Sequence, residues 1–109
     1  EPHGACICLV EESGERSFIA YHGIEYKFNR EWFKSLDLST FSNVYLCGLE
    51  LEEDTGEEIV KFLEENRFKN IYFAPGPRLL TIKEDFVKRI FALNPIIHLN
   101  DQEIISYTE

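Results

Sequence analysis

The residues best placed to do chemistry stand in one short run, Asn100-Asp101-Gln102-Glu103, directly behind the apolar stretch Ile96-Ile97-His98-Leu99. An amide and a carboxylate three residues apart, where a strand gives way to a helix, lie at the edge where open α/β sheets bind their ligands. The same spacing also makes a capping box, with Asn as N-cap and Glu reaching back to it. Other candidates are weaker. Cys6 and Cys8 share one side of a strand but match no common zinc spacing. His3 and His22 are isolated, and His98 reads as a core or edge residue. Arg78, after Pro75-Gly76-Pro77, could meet a phosphate, but it also suits a surface or capping role. The acids from Glu50 to Asp54 read most simply as solvated surface.

The elements that must hold these residues follow from the apolar pattern. Ala5-Cys6-Ile7-Cys8-Leu9-Val10 and Ser17-Phe18-Ile19-Ala20-Tyr21 flank a Gly-containing turn and predict a hairpin. Trp32, Phe33 and Leu36 share one face of a short helix, with Trp32 as its core anchor. Val44-Tyr45-Leu46-Cys47 predicts a strand ended by Gly48. Thr55-Gly56-Glu57-Glu58 opens a helix whose apolar face is Ile59, Phe62 and Leu63. Ile71-Tyr72-Phe73-Ala74 is the next strand. Thr81-Ile82-Lys83-Glu84 has the form of a capping box before a helix burying Ile82, Phe86, Ile90 and Leu93. Asn94-Pro95 stops that helix, residues 96–99 form a third strand, and a last helix starts near Gln102. Alternating strands and helices with short links predict a parallel sheet with right-handed crossovers. The apolar strands suggest cover on both faces.

Composition limits the function classes. The chain has 109 residues, room for one small domain, with 44% hydrophobic and 14% aromatic residues, so a packed core is expected. Twenty acidic against eleven basic side chains give a net charge of −9, which makes nucleic acid and anionic membrane poor partners. No run approaches the roughly 20 apolar residues of a membrane helix. Three cysteines predict small buried thiols in a reducing compartment, the cytoplasm, rather than a disulfide scaffold.

Four segments in order give the chain a resemblance to the ribokinase-like (PfkB) carbohydrate kinases. Gly14-Glu15-Arg16-Ser17-Phe18 resembles that family's GER-S/T-F hairpin, and Val44-Tyr45-Leu46-Cys47-Gly48 its following sheet strand. Phe73-Ala74-Pro75-Gly76-Pro77-Arg78 is similar to its F-D-P-x-x-R segment, with Ala74 where Asp or Asn is usual. Asn100-Asp101-Gln102-Glu103 is similar to its Asn-x-x-Glu motif. The resemblance covers nearly the whole chain. It implies an α/β, three-layer, Rossmann-like ribokinase core portion over residues 30–109, with an antiparallel lid hairpin over residues 4–22.

It also implies transfer of the γ-phosphate of ATP to a hydroxymethyl group of a sugar or related small molecule. Asn100 and Glu103 would then help place Mg2+ beside the triphosphate, a role that suits oxygen ligands. Glu50 falls where ribokinase has a sugar-binding glutamate, and Gly23 falls near the lid-to-domain corner. Gly23-Ile24-Glu25 stands where relatives of ribokinase often carry Gly-Ala-Asn, so the sugar need not be ribose. The family's N-terminal glycine-rich segment is missing, as is its Gly-Ala-Gly-Asp stretch, which carries the anion hole and the general base. An internal fragment of a kinase, inactive alone, is therefore expected, with a homodimer or higher association through the hairpin. The alternatives are a complete non-catalytic α/β binding module, or a nucleoside or vitamin kinase of the same superfamily.

Overall fold

In a computed structural model, which describes residues 2–108, the chain builds two sheets. Strands β1 (Ala5–Val10) and β2 (Arg16–Tyr21) pair antiparallel, from Ala5 opposite Tyr21 to Val10 opposite Arg16. Their turn closes through Glu11 N–H to the Glu15 carbonyl, 2.9 Å, and Gly14 N–H to the Glu11 carbonyl, 2.9 Å. Gly14 sits at φ +88°, a conformation that a side chain resists.

The second sheet is parallel, in the order β3 (Asn43–Cys47), β4 (Asn70–Ala74), β5 (Ile96–Ile97). Helix α1 (Gly56–Glu65) links the first two strands, α2 (Glu84–Ala92) the next two, and α3 (Asp101–Thr108) follows β5. The predicted third strand, residues 96–99, is shorter as paired, although His98 N–H continues the ladder to the Phe73 carbonyl at 2.8 Å.

Period-2 alternation decides which side of the sheet is dry. Leu46, Ile71 and Phe73 point to the side where α1 brings Ile59, Val60 and Leu63 and α2 brings Phe86, Val87 and Ile90. Two crossovers of one hand, into strands added in one direction, put both helices on that side. The opposite row is in register, Tyr45 beside Tyr72 beside Ile96, and it is exposed. The expectation of strands covered on both faces therefore fails for these side chains among the described residues. Tyr is amphipathic, so its apolar ring does not by itself report burial.

Three further expectations need correction. Residues 30–35 form a 3-10 helix, Arg30–Ser35, capped by Asn29, and Trp32 is 51% exposed rather than a core anchor. Phe33 does that work, stacking on Phe62 of α1 with ring centroids 4.3 Å apart. A 3-10 turn has three residues per turn, so the α-helical face counted from Trp32, Phe33 and Leu36 does not form. The capping box at Thr81 is absent: α2 begins at Glu84 after Lys83, and the Thr81 hydroxyl donates instead to the Arg78 carbonyl at 3.0 Å. The thiols are not buried: Cys6 and Cys8 are exposed and Cys47 is half-buried, all three free.

One side chain fastens α1 to α2. Arg89 donates two hydrogen bonds to Glu64, at 2.8 and 2.7 Å, and one to Glu57 at 2.9 Å. Hydrogen bonding to Arg89 holds the Glu57 and Glu64 carboxyls below their usual range. A depressed carboxylate contributes its stability above the unfolded value, about 4.3, and loses it as pH falls through the folded value. Stability should therefore be flat in this respect between about pH 5 and 7 and decline below about pH 4.5. In Arg89→Met the decline should be shallower, measured as urea midpoints at each pH. Equal acid slopes in both proteins would refute the assignment.

Candidate functional site

The carboxyl ends of β3, β4 and β5 converge on one edge. After β3, Gly48 opens a single 3-10 turn, Leu49–Leu51, that carries Glu50. After β4, Pro75 opens a second, Gly76–Leu80, that carries Arg78. The two cross at Gly48, where an added Cβ would fall against the Pro75 carbonyl and 3.0 Å from Arg78 Cβ. Gly48 has ordinary right-handed dihedrals, so glycine is required there for closeness alone.

After β5, Asn100 and Glu103 form the reciprocal box expected from their spacing. Glu103 N–H donates to Asn100 Oδ1 at 2.8 Å, and Asn100 N–H donates to Glu103 Oε2 at 3.0 Å. The capping role is thus met in full. Glu103 keeps one carboxylate oxygen outside the box. That atom, Oε1, is 3.8 Å from the point a Cβ on Gly76 would occupy. Gly76, at φ +61°, therefore leaves room beside the carboxylate of half-buried Glu103, between the loop after β4 and the start of α3.

Glu50 and Gly23 are placed differently. Glu50 is half-buried, and its Oε2 has no hydrogen-bond partner. It and Arg78 lie on either side of Cys47 in effect: burial pushes the thiol up, Glu50 adds to this, and Arg78 offsets it. Gly23 lies at the foot of the hairpin, where the backbones of residues 3–4 and 23 meet too closely for a Cβ on Gly4 or Gly23. Glu25 seals this foot, accepting from Gly4 N–H at 2.8 Å and from Gly23 N–H at 3.0 Å. Backbone hydrogen bonding, from Gly4 first, then from Glu25's own N–H and Gly23, holds its carboxyl below the usual range.

Between the hairpin and the carboxyl edge of the sheet lies a cleft of about 760 Å³. Cys6, Phe18 and Ala20 of the hairpin make an apolar wall, and His22, Glu52 and Arg78 line the other side. His22 stacks on the Tyr26 ring at 3.6 Å, with Nδ1 2.9 Å from Glu53 and Nε2 3.9 Å from Glu52. Glu52 in turn lies 2.9 Å from Arg78 Nε. The distance makes an ion pair, but the N–H direction is poor, and the buried Nε has no hydrogen-bond partner. The sequence pointed to Arg78 only as one possibility and not to Glu52 at all. Glu52 sits inside an acidic run, and its partners, His22 and Arg78, come from 30 residues before it and 26 after.

The fold sets an antiparallel hairpin beside the carboxyl edge of a parallel α/β sheet with a cleft between them, and carboxyl edges of parallel strands are where open α/β sheets bind ligands. Among curated proteins, the chain is similar to one described as the uncharacterized sugar kinase YegV of Escherichia coli (strain K12). The two are 37% identical over 101 residues, 93% of this chain and 32% of that protein. The chain therefore spans about a third of the relative's length. No family model matches the chain, and no solved structure matches it.

Proposed function

We propose that the chain is part of an ATP-dependent sugar kinase of the ribokinase-like (PfkB) kind, transferring the γ-phosphate of ATP to a hydroxymethyl group of a sugar. The observation that carries this reading is the similarity to a named sugar kinase along 93% of the chain. The free Glu103 oxygen beside Gly76, at the ligand edge of the sheet, supports it.

The donor set there suits Mg2+, which takes oxygen ligands and retains waters. Asn100 and Glu103 would hold it, largely through water, with the capping box fixing their orientation. When bound, the ion neutralises charge on the phosphates. The chain's own contribution is positional. The box locks the Glu103 rotamer, the Gly76 gap admits an oxygen-rich ligand, and the hairpin shields the cleft from water. Glu50 and Gly23 belong to the sugar end of this proposal, Glu50 through its unpaired oxygen and Gly23 by shaping the hairpin foot. The hairpin is also proposed to join two copies of the chain.

The test is an NMR titration of the chain with magnesium and ATP. Amides of residues 76 and 100–103 should shift, and Glu103→Gln should weaken the response by about tenfold or more. No shift at millimolar magnesium-ATP, or shifts confined to α1, would overturn the assignment. In a coupled assay with a sugar panel the chain alone should show no turnover. The family's general base and anion hole lie in a Gly-Ala-Gly-Asp stretch that these residues do not contain, and loss of such groups costs orders of magnitude in rate.

A further inference from the structure

We infer that the cleft beneath the hairpin selects a neutral polyol over a sugar acid, and that Glu52 and Arg78 make the selection. The inference rests on the sugar-kinase reading for its ligand class and goes beyond it in naming the ligand's charge and the residues that read it.

Three observations carry it. The first is unsatisfied hydrogen bonding. Arg78 Nε is buried and near Glu52 but donates to nothing. The rest of the guanidinium, on a side chain 40% exposed, stands beside the Glu52 carboxylate, so the pair offers a donor and an acceptor together. A ligand hydroxyl can accept from the one and donate to the other, whereas a ligand carboxylate set against the pair only accepts and would face Glu52. Two adjacent hydroxyls can accept from Arg78 and donate to Glu52 at once.

The second observation is charge. Arg78 is the one permanent cation lining the cleft among the described residues, and it already faces Glu52. Glu25 also lines the cleft, and Glu53 stands behind His22. A ligand carboxylate could approach Arg78 only by entering the field of three acids, and like charges in a partly desolvated site repel strongly. Glu25 is occupied by two backbone N–H groups and cannot turn away to relieve this. A neutral ligand meets no such barrier.

The third observation is shape. The cleft's volume falls in the ordinary range for small-molecule sites, about 300–1,000 Å³, and such sites combine apolar walls with a few fixed polar groups. Phe18 and Ala20 offer the apolar wall for a polyol's C–H face, opposite the Glu52–Arg78 pair. That pair is held in place. Arg78 is seated against Gly48, its carbonyl accepts from the Thr81 hydroxyl, and Glu52 is flanked by His22 as well.

The experiment compares xylitol with xylonate, which have the same number of carbons and differ in charge. Amide shifts of the chain are followed in NMR titrations of each. Xylitol should shift residues near His22, Glu52 and Arg78 and bind at least about tenfold more tightly than xylonate, the worth of one charge-assisted hydrogen bond. Glu52→Gln keeps the side chain's shape and should bring the two affinities to within about threefold, while Arg78→Gln should weaken xylitol about tenfold. Xylonate binding as tightly as xylitol to the unmodified chain would overturn the inference. So would xylitol shifts mapping elsewhere, or no response to 100 mM xylitol, a concentration on the order of ten times a weak 10 mM constant. The unmodified chain decides the main comparison, so a variant that fails to fold does not remove the test. The kinase reading fails separately. Loss of the magnesium-ATP response at residues 100–103, with the polyol preference intact, counts against it alone, and an aldonate preference with that response intact counts against this inference alone.

Discussion

Phe73→Ala is expected to lower the unfolding free energy by about 3–5 kcal/mol, the usual loss for a fully buried phenylalanine. Phe73 is the centre of the dry side of the sheet. It is fully buried, in register with Leu46 on one side and Ile97 on the other, and meets Phe91 of α2 edge-on at 6.3 Å. Both helices lie over it, so neither can collapse into the void without giving up contact with the other strands. A small domain typically has about 5–15 kcal/mol in all, and the substitution removes a large part of that. Urea denaturation followed by circular dichroism should show the midpoint fall sharply, or a chain unfolded before any urea is added. Phe41→Ala makes the comparison, because Phe41 is 53% exposed and its loss should cost about 0.5 kcal/mol or less. Similar costs for the two would show that the core is not centred on Phe73.

Where side-chain periodicity is local, the sequence carried the fold. The hairpin, the three parallel strands and both crossover helices stand where alternation and the 3.6-residue period put them. Asn100 and Glu103 formed their box because both halves of it lie within one helical turn. The misreadings share a different cause. Trp32 was given to the core by a helical count, but the segment winds as a 3-10 turn and selects Phe33 instead. Thr81 has the right residue three positions from Glu84, yet the turn Gly76–Leu80 runs into it and takes its hydroxyl for the Arg78 carbonyl. The thiols of β1 looked buried because the hairpin is apolar, but the described residues do not cover it.

The polar side of the cleft was the hardest part to see. His22, Glu52 and Arg78 come from the end of β2, the turn after β3 and the turn after β4. No spacing rule links positions so far apart. Only the parallel order β3-β4 and the hairpin's placement over the carboxyl edge bring them together. The legible signals there were indirect: an arginine after a Pro-Gly-Pro stop, and acids crowded behind a strand end. Each has a surface explanation, and charge alone does not rank them.

The hairpin leads to the second large effect, on association. An isolated two-stranded hairpin is marginally stable in water, and here all twelve strand residues are exposed. Its two faces differ. Cys6, Cys8 and Phe18 turn to the side that lines the cleft, whereas Ile7, Leu9 and Ile19 alternate to the outer side. Ile7 and Ile19 are directly opposed and each is 60% exposed. An apolar outer face with open strand edges is the kind of surface that proteins cover with another chain. On the proposal that a second copy covers it, sedimentation equilibrium should show dimers as concentration rises. Ile19→Lys should weaken that dimer by about a hundredfold or more, since an unpaired charge buried between two apolar faces costs several kcal/mol. Cys8→Ser, one position along and on the cleft side, should leave it within about threefold, because a small polar substitution away from the contact changes little. The paired variants separate a specific outer-face contact from general stickiness. If both substitutions dissociate the dimer equally, the whole hairpin exchanges between copies and its outer face is not the determinant. A strict monomer at high concentration would leave the hairpin to be covered by something other than a second copy of this chain.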